Sequence, residues 1–295
     1  MTDWTQLSAR ASFASHRLIG WIYWDPGALE RYAALGVDIG GVSYIASRAA
    51  PMAPAGAQVV AAAFYSISPE FIAASLAIAE ERTTYAALTE ARNDAVVDGL
   101  RRFVPEICDS LASLAPALWA AVDALPVSGR VMFAAHRQAA RPSAESAEAR
   151  LLSAWLALNC IREWRGDTHF AVLAAEDISG TQAGLLHNAY LNYPKDWIPR
   201  SRGAGDDDIA AAYAALESRG LASGGSVNAA GLDLRERIEQ RTDQLCERAW
   251  RLLGAPLTSQ FLALVEPVGD RLLARIDETA GTEWMPAARH RREPG

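Results

Sequence analysis

Leu151, Trp155, Leu158, Arg162, Arg165 and His169 recur at spacings of 4, 3, 4, 3 and 4, which sets all six on one stripe of a helix. The stripe begins apolar and ends in two guanidiniums and an imidazole. Such a face is expected to look into a core at one end and to satisfy half-buried charge at the other. Read for chemistry, Arg162 or Arg165 holds a carboxylate, phosphate or enolate, and His169, with an ordinary pKa of about 6.5, shuttles a proton. Read for structure, the arginines pair with Glu163, Asp167 or acidic residues of another lobe. Asp167 lies two residues from His169 and faces elsewhere on a regular helix, which argues against a direct Asp–His dyad. Gly166, inside the same helix, costs roughly 1 kcal/mol relative to Ala and leaves room for a neighbouring backbone or ligand.

A second set of candidates is aromatic: Trp21, Tyr23 and Trp24, then Tyr44, Arg48, Phe64 and Tyr65. Aromatics beside one arginine suit a flat, partly polar organic ligand through stacking and phenolic hydrogen bonds; the alternative is core packing. The expected site therefore has His169 and Arg165 as catalytic groups and Tyr23, Tyr44, Arg48, Tyr65, Trp155 and Arg162 around the substrate. His136 and His187 read as packing residues. No HExxH, Cys/His pair, Gly-rich dinucleotide fingerprint or phosphate-loop motif occurs, so neither a metal nor a cofactor is expected. Cys108, Cys160 and Cys246 are far apart and read as buried free thiols.

The elements that must position these groups are helical. Apolar periodicity predicts helices over 5–24, 27–35, 69–79, 83–103 and 115–125, with Asp25 capping ahead of Pro26 and Ser68-Pro69-Glu70 as a second start signal. Helices follow over about 144–176, 179–190, 206–219, 230–253 and 258–278, with an irregular stretch at 192–205. The expected divisions are an N-terminal helical lobe (1–143), a winged-helix-like lobe (144–280) and a disordered tail (281–295). The 295-residue chain is rich in Ala and carries a formal charge of −7, a balance that weighs against nucleic-acid partners. Residues 49–69 lack charge, but Pro51, Pro54 and Gly56 break the run, so no membrane span is expected. The expectation is a soluble cytoplasmic protein. The amphipathic segments 230–253 and 258–278 are candidate homodimer surfaces.

The order helix, helix, helix, Leu216-x-x-Arg219-Gly220-Leu221, short turn at Gly224-Gly225 and long helix resembles the MarR-type winged helix. The whole chain resembles an actinobacterial family of MarR-like helical proteins. The matching pieces are Tyr23-Trp24-Asp25-Pro26, Arg48-Ala49-Ala50-Pro51, Ala63-Phe64-Tyr65 with Pro69, Arg162 through His169, and Glu239-x-x-Thr242-Asp243. The chain departs from that family at Ile19 and Gly27, where the resemblance implies His and Glu. It implies a mainly α fold: an N-terminal helical lobe packed on a winged-helix lobe with a small two-stranded wing.

Between Gly203 and Asp233, Asp206, Asp207, Asp208, Glu217 and Asp233 face Arg219 alone, a net charge of −4 that would repel DNA phosphates from the would-be reading head. The functional expectation is a small-molecule-binding protein on a repurposed winged-helix scaffold. It would be a cofactor-independent tailoring enzyme of secondary metabolism, acting by acid/base chemistry on an anionic or polar aromatic substrate. A ligand-responsive MarR-like transcription regulator and a non-catalytic metabolite-sequestering protein are the alternatives.

Overall fold

The computed structural model describes residues 2–39, 41–139, 141–142 and 145–290. Its helices in chain order are α1 (Trp4–Gly20), α2 (Pro26–Ala34), α3 (Val42–Ala49), α4 (Ala57–Phe64), α5 (Pro69–Arg82), α6 (Tyr85–Phe103), α7 (Pro105–Ser113), α8 (Ala115–Ala124) and α9 (Val131–Gln138). There follow α10 (Ala147–Ala175), α11 (Gly180–Leu191), α12 (Trp197–Ser201), α13 (Asp206–Ser218), α14 (Ala229–Leu253), α15 (Ala255–Val265), α16 (Gly269–Asp277) and α17 (Pro286–Arg289). Caps fall where the sequence puts them. Asp25 accepts from Ala28 N, Ser68 from Phe71 N, and Ser179 forms a reciprocal capping box with Gln182. The fold is mainly α with one two-stranded ribbon.

The short helices α3, α4, α7 and α9 add to those expected, and α12 lies within the stretch 192–205 expected to be irregular; two of the expected helices also end or break early. The first helix ends at Gly20 and passes into a tighter turn over Trp21–Tyr23. The segment expected as one helix over 258–278 is broken at Glu266–Val268, because Pro267 cannot donate to the preceding turn.

The central element is α10, which packs against α1, α6, α7, α8, α9 and α14. Residues 157–164 of it are all buried, so this stretch is enclosed on every side. A helix sealed in this way must pair any polar side chain it carries, and Asn159, Arg162 and Glu163 lie within it. The largest apolar cluster draws Leu18, Trp21, Leu100 and Leu118 from before residue 143 and Leu158, Trp164, Trp250 and Phe261 from after it. The expected lobe boundary at residue 143 itself lies outside the described residues.

A second cluster joins the end of α10 to α11, α13 and α14 through Leu173, Leu186, Ile209, Leu216, Leu221 and Ile238. This is the portion expected to form the winged-helix-like lobe, and its ribbon pairs Ala222–Ser223 with Ser226–Val227. Gly224 and Gly225 hold φ of +57° and +70°, the backbone a two-residue hairpin of this hand needs. At the start of α14, a Cβ on Gly231 would collide with the Leu221 carbonyl oxygen and the Val227 side chain, so the ribbon sits directly on that helix. A third cluster gathers Ile45, Val60, Phe64, Ile72 and Met132.

Of the expected disordered tail, 281–290 is ordered and packed, and 291–295 lies outside the described residues. Ala288 is wholly buried, Trp284 meets Trp24 at 5.4 Å between ring centroids, and Met285 fills the space over Gly20 that a side chain there would take. No single helix among the described residues is long and apolar enough to cross a membrane; α7 and α8 pass that test only as a pair bent by 53°, and both feed the main core. Cys108, Cys160 and Cys246 are free and buried.

Candidate functional site

A cavity of about 520 Å³ opens where side chains of the three clusters meet. Its walls come from α1, α3, α10, α11, α12, α14 and the 284–290 segment. The stripe on α10 divides as its composition requires: Leu151, Trp155 and Leu158 enter the core, whereas Arg162, Gly166, His169 and Arg165 line the cavity. Gly166 now has a location that explains it. The nearest atom to a Cβ placed there is Glu163 Oε2 at 3.7 Å, so a larger side chain would grow into the cavity.

The charged groups form two linked sets. Glu163, 1% exposed, accepts from Arg48 Nε and Nη2 at 2.9 and 2.6 Å and from Arg162 Nη1 at 2.6 Å. Burial alone would raise its carboxyl pKa, but the Arg48 and Arg162 guanidiniums outweigh burial and hold it well below the usual range. Arg48 Nη1 also donates to the Tyr44 hydroxyl at 2.8 Å. In the second set, Arg165 Nη2 donates to Asp243 at 3.1 Å and to Glu239 at 3.3 Å, and Arg235 lies 3.7 Å from Glu239. Both stripe arginines are thus ion-paired, as the structural reading held, and both still border the cavity. Arg162 Nε, Arg165 Nε and Arg235 Nε are buried without a hydrogen-bond partner.

Arg202, in the loop after α12, is the group the sequence reading missed. Its guanidinium lines the cavity and makes no hydrogen bond, ion pair or ring contact among the described residues. Burial and the neighbouring Arg48 lower its pKa, against an opposing pull from Tyr44. Around the cavity five arginines (Arg48, Arg162, Arg165, Arg202, Arg235) face four carboxylates (Asp3, Glu163, Glu239, Asp243), an excess of positive charge inside a protein of net charge −7.

Besides the exposed His290, three imidazoles line the cavity. His169 Nδ1 lies 3.1 Å from Thr242 Oγ1, whose own proton goes to the Ile238 carbonyl at 2.8 Å. The Thr242 oxygen therefore accepts from His169 Nδ1–H, and Nε2 carries the free lone pair. His187, expected as a packing residue, lines the cavity instead and takes the opposite tautomer. Arg235 Nη2 donates to its Nδ1 at 3.2 Å, which leaves the proton on Nε2. His16 on α1 contributes a buried, unpartnered Nδ1. Burial drives all three pKa values down, to about 4 for His169 and about 3 for His187, with Arg162 and Arg165 adding to the effect at His16. All are neutral at pH 7.

Three expected substrate contacts are elsewhere. Trp155 is a core residue whose indole donates to the Leu18 carbonyl. Tyr23 is fully buried behind Tyr44, edge to face at 5.1 Å, because the turn after α1 rotates it off the cavity. Tyr65 donates to the Ile178 carbonyl and stacks on Phe170, which itself lines the cavity. The aromatic wall is built by Tyr44, Trp24, Trp284 and Trp197, each ring 5.1 to 5.4 Å from the next. His136 packs as expected, its Nε2 donating to the Arg48 carbonyl at 3.0 Å while Asn159 donates to its Nδ1. Asp167 does not approach His169. It caps α9 by accepting from Phe133 N at 2.9 Å, and burial raises its pKa to about 6. Of the departing positions, Ile19 is wholly buried in the main core, and His16, about one turn earlier, is what reaches the cavity.

No group of three or more His, Cys, Asp or Glu side chains able to hold a metal occurs among the described residues. In sequence, residues 8–279 match the model of a helix-turn-helix family. The chain belongs to that family. No curated protein matches it, and no solved structure does. In this helix-turn-helix protein the helix expected from the sequence to be a reading head, α13, buries Ile209, Ala212 and Leu216 and exposes Asp206–Asp208, Ala210, Ala211, Ala214 and Ala215. Arg219 donates to the Glu176 and Asp177 carbonyls at 3.0 and 2.7 Å, and Arg200 pairs with Asp206. The exposed face of α13 thus offers carboxylates and methyl groups to a duplex.

Proposed function

We propose that the protein binds a planar, anionic or polar aromatic small molecule in this cavity, on a repurposed MarR-like winged-helix scaffold, and moves a proton on it without a cofactor. This is the chemistry of a tailoring enzyme of secondary metabolism. The observation that carries the reading is Arg202, a half-buried guanidinium without a counter-ion among the described residues, in a cavity where arginines outnumber carboxylates. A half-buried cation with no counter-ion has given up part of its hydration, and a bound anion offsets that cost. Arg48 and Arg162, tied to Glu163, and Arg165, tied to α14, would flank the same anionic group. Tyr44, Trp24, Trp284 and Trp197 would stack on the flat body of the ligand. His169, with its lone pair on Nε2, is the general base.

Calorimetric titration with salicylate and phenylpyruvate tests this directly. The expected result is saturable binding to the wild type that weakens at least about tenfold in Arg202→Gln, equivalent to about 1.4 kcal/mol, and is lost in Gly166→Leu. Absence of binding by the wild type, or binding indifferent to both substitutions, overturns it.

Family membership favours a second reading, a ligand-responsive regulator that keeps the same cavity as its sensor. It requires α13 to bind duplex DNA, and the exposed face described above argues against that. Salt-sensitive submicromolar binding of the native upstream duplex, abolished by changes in α13, would promote it. Saturable binding with no turnover of any bound compound would leave a sequestering protein.

A further inference from the structure

We propose that His187 is a second catalytic residue and that the pair enolises a carbonyl compound: His169 Nε2 takes the proton from the carbon beside the carbonyl, and His187 Nε2–H holds the oxygen as it becomes an enolate. The proposal rests on the ligand reading above and adds the reaction class to it. The two rings come from adjacent helices, α10 and α11, and face one cavity; α14 fixes both. From α14, Thr242 sets the His169 tautomer and Arg235 sets that of His187.

The opposite tautomers are what make a pair of them. One ring presents a lone pair to the cavity and the other presents an N–H. Had both Nδ1 atoms been protonated, the two rings would present two bases to the cavity and no imidazole donor for the oxygen. Burial keeps each ring neutral, since charging it in this wall is opposed by desolvation and by neighbouring arginines. A neutral imidazole is a competent donor to an enolate, as other enolising enzymes illustrate. Here the Arg235 proton on Nδ1 polarises the ring and strengthens donation from Nε2. His187 also feels the charge His169 would carry, which sets the two rings on neighbouring parts of the same wall.

The step balances without a co-reactant. The C–H bond breaks, its electron pair becomes the new carbon–carbon double bond, and the carbonyl π pair moves to oxygen. The proton resides on His169 Nε2. Its return to carbon restores the ketone, and its delivery to oxygen gives the enol, so nothing is oxidised or reduced. Arg202 and its neighbours would fix the substrate's anionic group throughout.

Two measurements decide the proposal. Long-range ¹⁵N NMR of the unliganded protein at pH 7 should read His169 as Nδ1–H and His187 as Nε2–H, with the His187 assignment lost in Arg235→Met. Phenylpyruvate, an aromatic α-keto acid with an enolisable carbon, should lose its C3 protons in D₂O faster with the protein than in matched buffer. The acceleration should fall at least about a hundredfold in His169→Gln and in His187→Gln, the usual scale of general acid–base catalysis, while calorimetry still shows phenylpyruvate bound. Identical tautomers at the two sites, or exchange no faster than in buffer with phenylpyruvate bound, overturns the pair and leaves the ligand reading standing. Failure of both phenylpyruvate and salicylate to bind removes the ligand reading itself.

Discussion

The region around α13 and the cavity walled by α10 and α14 use the same residue types in opposite ways. Around α13 the acidic groups sit on the surface, solvated, and the basic groups close loops: Arg219 covers the open carbonyls at the end of α10, and Arg200 ties Asp206. Around α10 and α14 the basic groups are buried and in excess, and the carboxylates are there to hold them. Architecture of the reading head survives because it depends on apolar side chains such as Ile209, Leu216 and Leu221. Its electrostatics are free to change because exposed charges contribute little to folding. Positive charge is thus gathered on the walls of the cavity and not on the exposed face of α13.

The sharpest way to break this comparison is to remove one charge from each region. Glu163→Gln leaves Arg48 and Arg162 buried without their shared anion, and should lower unfolding free energy in urea by about 3–5 kcal/mol. A loss below about 1 kcal/mol would mean that water reaches the pair and that the interior setting is not what distinguishes the cavity.

Acidification probes the same interior. In the folded protein His136 and His169 resist protonation down to about pH 4 and His187 down to about pH 3, whereas unfolded histidines titrate at about pH 6.5. Between those values the unfolded chain binds more protons, so stability is complete above about pH 6.5 and declines as the pH falls toward 4. Asp167, raised to about 6, acts in the reverse sense: it costs stability above about pH 6, and that cost is relieved as the pH falls toward 4. The denaturant midpoint should therefore drop between pH 7 and 5, with net proton uptake of more than one on unfolding at pH 5.5. An unchanged midpoint over that range would place these imidazoles in water.

The smallest effect belongs to the surface. Asp206, Asp207 and Asp208 favour the helix dipole at the start of α13, so changing any one to Asn should cost about 0.3–1 kcal/mol. Changing all three to Lys sharpens the comparison further. If random duplex DNA then binds at low salt, the reading-head geometry is intact and charge alone disables it; if it does not, the exposed alanine face is also unfit.

Much of this fold was legible in the residue pattern. The long α10 and α14, the caps at Asp25 and Ser68 and the Gly224-Gly225 turn follow from periodicity and local hydrogen bonding, which are short-range. The α10 stripe was also legible, since one helix fixes the relative placement of Arg162, Arg165 and His169. What could not be read was which partners other helices bring. Glu239, Thr242 and Asp243 stood out as a motif, but only the packing of α14 on α10 shows that they receive Arg165 and His169. Arg202 lies in a loop with no periodicity to orient it. Tyr23 and Tyr65 went astray because an aromatic cluster in sequence does not say which ring turns inward. The segment 281–290 was misread because its anchors, Trp284 and Met285, are isolated apolar residues whose sockets at Trp24 and Gly20 are distant in sequence.

The aromatic wall has an optical consequence. Of the nine tryptophans, Trp24, Trp197 and Trp284 border the cavity, and Trp284 touches the other two at centroid distances of 5.4 and 5.3 Å. Indoles this close and at fixed angles couple their excited states, so they will dominate the near-ultraviolet circular dichroism and pass excitation among themselves. Trp155 and Trp250, sealed in the core, are spectators by comparison. The cavity thus reports its own occupancy through the protein's intrinsic emission, with no added label.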